Sequence, residues 1–289
     1  MRMIPRPRQG RPSIGLTAYI FGLDEALWDE GFRLAREAEA EHLELWLAYP
    51  LGNGALRERQ LRRLRHHLKG LGLLVHLPTA WESLITPHKE LRELSLEEAR
   101  STMAVAAKLG ARWVILTGGR AFYPRELCGV DFEATFRMSV EELLPYAEEL
   151  GLSLAVENLA RGYPASGREL KGLAEMGLGL SLDLAQLQEG GEEPLAVLDL
   201  VLERLINLRI QLDLPRERRT AVFDYLRGGG FTGYLTLAVS PGKPPGDMWE
   251  RLREELAGWR ASWPRLGAGA GSGTSPSSGS GAGGEENRI

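Results

Sequence analysis

Eight short apolar runs recur along this chain, each separated from the next by a stretch of helical periodicity, and that alternation narrows the possible folds most. The runs cover residues 14–19, 43–48, 73–78, 113–117, 152–158, 178–183, 206–212 and 234–239. Parallel strands covered by helices are buried on both faces, so they read as near-continuous hydrophobic segments. Amphipathic stretches at 24–40, 55–69, 90–109, 132–150 and 247–259 fill intervals between them, and Gly70, Gly110 and Gly151 stand where helices should end. Eight strands, each trailed by a helix within about 250 residues, match a closed (β/α)8 barrel. An open doubly wound sheet would need a glycine-rich turn after its first strand, and none follows Tyr19. Gly228, Gly230 and Gly233 do fit GxGxxG, but they lie after a helix and before a strand, the reverse of the order that sets a pyrophosphate on a helix N-terminus.

The expected organisation is a basic N-terminal arm over residues 1–12, an α/β TIM barrel over 13–266, and a disordered Gly/Ser-rich tail over 267–289. A net charge of −4 argues against a nucleic-acid binder, since neutralising phosphates needs a basic face. It has no apolar run of about 18 residues that could span a bilayer. The single Cys128 cannot form an internal disulfide, and the arginine-bearing start lacks the apolar core of a signal peptide, so the expected location is the cytoplasm.

Side chains alternate across a strand, so the polar face of each can be read by counting in twos. In the seventh run Asn207, Arg209, Gln211 and Asp213 share one face, opposite Ile206, Leu208, Ile210 and Leu212. The same count groups Ser153, Ala155 and Glu157, then Ser181 and Asp183, Leu74 and His76, and His42, Glu44 and Trp46. With the apolar sets under the helices, Glu44, His76, Glu157, Asp183, Arg209 and Gln211 converge toward the C-terminal mouth, where the active sites of such barrels lie. Asp183 is also well placed to cap the following helix, and Arg209 to neutralise acids without catalysis. Trp81, Phe122 and Tyr123, just past the third and fourth runs, could line a sugar-binding mouth or pack a subunit contact.

At these residues the chain resembles the xylose isomerase-like barrels, the sugar phosphate isomerase and epimerase group that also includes endonuclease IV. The resemblance runs over residues 13 to 262 and rests on HLELW, LLVHLPTAW, LAVENLA, GLSLDLAQ, INLRIQLD and GGFTGYLTLAV. It implies a divalent metal held by a fifth-strand Glu, a sixth-strand Asp, a seventh-strand His and an eighth-strand Glu, with two Glu residues shuttling a proton beside a sugar carbonyl. Glu157 and Asp183 match, whereas Arg209 stands for the His and Ala238 for the second Glu. Gln186 and Thr117 stand where relatives often carry further His residues.

Two readings follow. The first is an isomerase or epimerase for a small sugar, sugar phosphate or hydroxy-carbonyl compound, with Glu157, His76 and Glu44 catalytic. The second is a non-catalytic barrel that binds a carbohydrate or an anionic ligand. In both, Arg209, Gln211, Gln186 and Trp81 are the expected substrate-binding residues. Glu157 and Asp183 with the Gln211 amide form a donor set able to hold Mg²⁺ or Mn²⁺ loosely, with Arg209 expected to take the metal's place. An abasic-site nuclease needs a histidine-rich zinc cluster and a basic face, and five His with an acidic balance argue against it.

Overall fold

A computed structural model describes residues 10–18, 24–47, 56–77, 83–120, 129–239 and 247–263. Eight parallel strands close on themselves: β1 (Ser13–Thr17), β2 (His42–Trp46), β3 (Gly72–His76), β4 (Trp113–Leu116), β5 (Ser153–Glu157), β6 (Gly179–Asp183), β7 (Leu205–Gln211) and β8 (Tyr234–Ala238). Each pairs with its sequence neighbour, and β1 closes the ring against β8 with Ser13 opposite Tyr234. The chain is thus a (β/α)8 barrel, and every strand lies within one of the expected runs or within a residue of its start.

The outer helices follow the apolar periodicity. Helix Glu58–Leu68 buries Leu61, Leu64 and Leu68, and helix Phe132–Glu149 buries Phe136, Val140, Leu143 and Ala147, one stripe in each case. The stretch expected over 24–40 begins instead as a 3-10 turn, Glu25–Leu27, before helix Trp28–Glu37. Four more helices lie between the later strands, Gly167–Ala174, Leu184–Glu189, Pro194–Val201 and Arg216–Gly228, and helices Lys89–Leu109 and Met248–Ser262 complete the shell. Gly228 ends helix Arg216–Gly228 and Gly233 precedes β8, so the GxGxxG match is a helix-to-strand turn. No helix among the described residues is long and apolar enough to cross a membrane.

Arg11, placed by sequence in the N-terminal arm, is buried against Glu41 and the Pro12 carbonyl, while Glu41 also accepts from the Ile14 amide at 3.1 Å. The remainder of the expected arm (1–9) and the expected tail (267–289) lie outside the described residues.

The barrel interior divides into an apolar and a polar half. Leu74, Trp113, Ile115, Ala155 and Ile206 pack together on one side. Ile206 corrects the alternation expected for the seventh strand. Between β6 and β7 the pairing jumps from Leu180 opposite Leu205 to Ser181 opposite Asn207, so Ile206 is the extra residue of a β-bulge and turns inward. Beyond the bulge the count in twos resumes, with Asn207, Arg209 and Gln211 on the inner face; Asp213, past the strand end, is exposed. Two glycines make room for the interior's large rings. A Cβ on Gly15 would fall 2.1 Å from the His42 carbonyl oxygen, and one on Gly179 would fall 2.8 Å from the Trp113 ring.

Candidate binding site at the barrel mouth

Arg209, on β7, is 9% exposed and its guanidinium meets three carboxylates from three other strands. Its Nη1 donates to Glu157 Oε1 at 2.8 Å and lies 3.1 Å from Asp183 Oδ2, and its Nε lies 3.1 Å from Glu44 Oε1. The Nε contact is an ion pair without hydrogen-bond alignment, since that N–H finds no aligned acceptor. The register creates this convergence: Asp183 pairs with Arg209 across β6 and β7, and Glu157 pairs with Ser181 across β5 and β6.

His76 is fully buried and lies between two acceptors. Its Nδ1 is 2.9 Å from the Leu77 carbonyl oxygen, and its Nε2 is 3.1 Å from Glu157 Oε1. A carbonyl oxygen has no proton to give and a carboxylate only accepts, so both ring nitrogens must carry hydrogen and the ring is an imidazolium. Although burial opposes the charge, the adjacent Glu157 holds the His76 pKa above its ordinary value. Trp46 stacks on this ring at a centroid distance of 4.1 Å, and the Arg209 guanidinium carbon lies 5.5 Å from the same indole. One indole ring thereby serves two cations.

Every hydrogen-bond partner of the three acids is a donor. Glu157 takes Arg209 and His76 on Oε1 and the Ser181 hydroxyl on Oε2 at 2.9 Å. Glu44 takes the Trp46 indole N–H at 3.2 Å and the Asn207 amide at 3.0 Å. Asp183 caps helix Leu184–Glu189 through the Ala185 and Gln186 amides on Oδ1, while Oδ2 faces Arg209. It therefore does both of the things that the sequence left open. Burial alone would raise the Glu157 pKa, but Arg209 and His76 outweigh it and hold the group down to about 2. For Glu44 and Asp183 burial prevails and pushes both pKa values up, against the pull of Arg209.

The other expected residues divide. Gln211 reaches toward Asp183 at 3.4 Å, leaving its Oε1 buried without a hydrogen-bond partner. Gln186 turns away, its Oε1 accepting from the Ala160 amide at 3.1 Å, because the cap at Asp183 starts the helix there and aims the side chain at the loop after β5. Trp81, Phe122 and Tyr123 lie outside the described residues. Four supporting residues had no assigned role: Trp46, Ser181, Asn207 and Thr117. The first three share the inner faces found by counting in twos, which was the available signal. Thr117, just past β4, is 4% exposed and its hydroxyl has no hydrogen-bond partner.

A family model described as the xylose isomerase-like TIM barrel matches residues 32–212. The chain belongs to that family. No curated protein matches it by sequence. Among solved structures it is similar to L-ribulose 3-epimerase (15% identity, TM-score 0.74, 87% of this chain and 94% of that one). It is also similar to D-allulose 3-epimerase from Methylomonas sp. (17%, 0.72, 90% and 100%) and to 3-keto-D-glucoside 4-epimerase from E. coli (16%, 0.69, 87% and 100%). Identities this low establish a shared fold.

The divalent metal implied by the resemblance does not fit these residues. The space between Glu157 and Asp183 is taken by Arg209 Nη1, at 2.8 and 3.1 Å, and a guanidinium in that position repels a dication. On β8 the inner position is Ala238, which offers no ligand, and no group of three His, Cys, Asp or Glu among the described residues could hold an ion.

Proposed function

We propose that this chain is a carbohydrate-binding member of its family that holds a small polyhydroxy ligand at the barrel mouth without a metal and without turning it over. What carries the reading is Arg209 Nη1 lodged between Glu157 and Asp183, with Nε against Glu44. A general base needs a free lone pair and a pKa near the working pH. Glu157, held down to about 2 with donors on both oxygens, is a weak base, so the catalytic role expected for it has little support from its surroundings. Glu44 and His76 are likewise committed to internal partners. The guanidinium is too fully balanced to clamp an anion as well, so a ligand with an anionic group is the less suited of the two classes expected. The ligand's hydroxyls would meet Gln211, the Thr117 hydroxyl and Arg209 Nη2, which makes no hydrogen bond among the described residues.

The test is calorimetric titration with a panel of ketohexoses, followed by incubation in deuterium oxide and mass measurement of the recovered sugar. Binding without deuterium uptake is expected, and metal analysis of protein purified without chelator should give well under one equivalent of divalent ion. Deuterium uptake that disappears in Asp183→Asn would establish turnover instead. That second reading, an isomerase or epimerase, has one observation in its favour: burial pushes Asp183 up, as a proton-transfer group requires.

A further inference from the structure

Helix Glu58–Leu68 carries two basic faces that the fold treats differently. Between residues 57 and 69 the chain holds six Arg or Lys and a single Glu, although its net charge is −4. On the side toward helix Trp28–Glu37 the positive charge is met: Arg63 lies 3.1 Å from Glu25 and 2.6 Å from Asp29, Arg59 lies 3.7 Å from Glu25, and His67 lies 3.0 Å from Asp29. On the other side Arg62, Arg65, His66 and Lys69 stand at positions i, i+3, i+4 and i+7, a single stripe down the end of the helix. Arg65 and Lys69 form no ion pair among the described residues. Arg62 has only a 3.7 Å approach to Glu58 of its own helix, with both side chains exposed, and such pairs contribute little.

The stripe walls a cleft of about 470 Å³, whose remaining lining is Leu68 and, from helix Lys89–Leu109, Leu109. No acid lines it among the described residues. Glu98, the acid of that second helix closest in sequence to Leu109, stands about 16 Å before it along the axis. Cations near a helix C-terminus ordinarily offset its dipole and serve its last carbonyls. Here Arg36 already does so, its Nη2 donating to the His67 carbonyl oxygen at 2.5 Å and to that of Lys69 at 3.2 Å. The stripe thus holds charge that the fold does not use. Barrel helices run opposite to the strands, so the cleft lies at the floor end, near the start of β3 and away from the mouth.

A cleft of this volume takes a small organic ligand. Its charge runs about 10 Å along the helix from Arg62 to Lys69, too far for one tetrahedral anion and suited to several phosphates in a row. Guanidinium groups match phosphate oxygens bidentately.

We propose that this floor cleft binds a polyphosphate, with Arg62, Arg65 and Lys69 on the phosphate oxygens. Two sources share that chemistry: a nucleoside triphosphate, whose base would rest against Leu68 and Leu109, and an inorganic chain. The site is separate from the mouth and independent of the sugar-binding reading.

The experiment is calorimetric titration of the full chain with inorganic triphosphate, ATP and orthophosphate, without divalent ions and at about 0.15 M salt, where attraction between distant exposed charges is largely screened. Triphosphate should bind on the order of tenfold tighter than orthophosphate, or more. Arg62→Gln with Arg65→Gln should weaken triphosphate on the order of tenfold. Arg33→Gln with Arg59→Gln removes the same net charge away from the cleft and should leave the affinity unchanged. All four positions are exposed, so both double variants should unfold at the wild-type temperature. ATP binding tighter than triphosphate supports the proposal with the nucleotide as source, and equal or weaker ATP binding supports it with the inorganic chain. Equal affinity for triphosphate and orthophosphate, or equal losses in the two double variants, means general charge attraction and overturns it. Triphosphate that does not bind overturns it as well, whatever the sugars do at the mouth.

Discussion

The barrel interior contains two fully buried histidines that solve the same burial problem in opposite ways. His42, toward the floor, lies between two hydroxyls: its Nδ1 is 3.0 Å from Ser13 Oγ and its Nε2 is 2.9 Å from Thr236 Oγ1. The Thr236 hydroxyl donates onward to Asn207 Oδ1 at 2.7 Å, so it accepts from Nε2–H, and Ser13 donates to Nδ1. A neutral ring satisfies both, and burial holds the His42 pKa down to about 3. His76, between a carbonyl and a carboxylate, is satisfied only when charged. The difference lies in the partners' donor and acceptor character rather than in depth. Asn207 joins the two regions, accepting from Thr236 and donating to Glu44 and Ser181. Each hydrogen from the floor upward points toward the carboxylates at the mouth.

The largest effect should come from breaking the mouth's balance. Arg209→Met keeps the side-chain length and removes the charge shared by Glu44, Glu157 and Asp183. Leaving buried acids unpaired costs about 3–5 kcal/mol, so urea unfolding should show a loss of that order at neutral pH. A loss under about 1 kcal/mol would mean that the acids are neutralised by other means.

The histidines should then separate by pH. His42 binds its proton far more weakly folded than unfolded, so its contribution to stability is complete above its unfolded pKa near 6.5 and is lost as pH falls toward 3. Glu157 adds to that loss only below its unfolded value, about 4.3. Between roughly pH 6.5 and 4.5 His42 should lose stability on acidification, on the order of a few kcal/mol in total, against the opposite trend of Glu44 and Asp183, whose raised folded pKa values make them take up protons as pH falls, and His42→Gln should remove its share of the slope. His76 has the opposite sign. Its folded pKa is raised, so its contribution is complete below about 6.5 and is lost as pH rises through the folded value. Glu44 and Asp183, whose folded pKa values are raised as well, share this alkaline decline, and His76→Gln should make it shallower by removing the His76 part. Thermal unfolding across pH measures both limbs, and an alkaline limb unchanged in His76→Gln would show that the ring is neutral.

Much of this arrangement was legible in the chain because the barrel strands are continuous apolar runs and side chains alternate. Glu44, His76, Glu157, Asp183 and Arg209 could be brought together by counting in twos before any coordinate was known. What the count could not carry was a change of register. The bulge at Ile206 is a property of how β6 and β7 pair, so a rule confined to one strand misplaces that residue. The direction of Gln186 was hidden for a related reason: it depends on the helix start set by the Asp183 cap, not on the strand before it. The antiparallel ladder of Gly119–Arg120 with Gly162–Tyr163, which ties the chain after β4 to the chain after β5, is too short to leave a periodic trace. The charge state of His76 was out of reach as well, because Leu77 and Glu157 become its partners only in the closed barrel.

The smallest effect gives the sharpest comparison, since it uses one substitution at both levels of the barrel. Thr236 and Thr117 are both buried, but the first has a hydroxyl that receives from His42 and gives to Asn207, and the second has one with no partner. Thr236→Val strips a donor from Asn207 and an acceptor from His42 and should cost about 1–3 kcal/mol. Thr117→Val removes a hydroxyl that gains nothing in the free protein, so it should be neutral or stabilise by about 1 kcal/mol while weakening sugar binding. Parallel urea titrations with and without ligand separate these effects. If Thr117→Val destabilises the free protein as much as Thr236→Val does, that hydroxyl belongs to the scaffold, and the mouth is as internally satisfied as the floor.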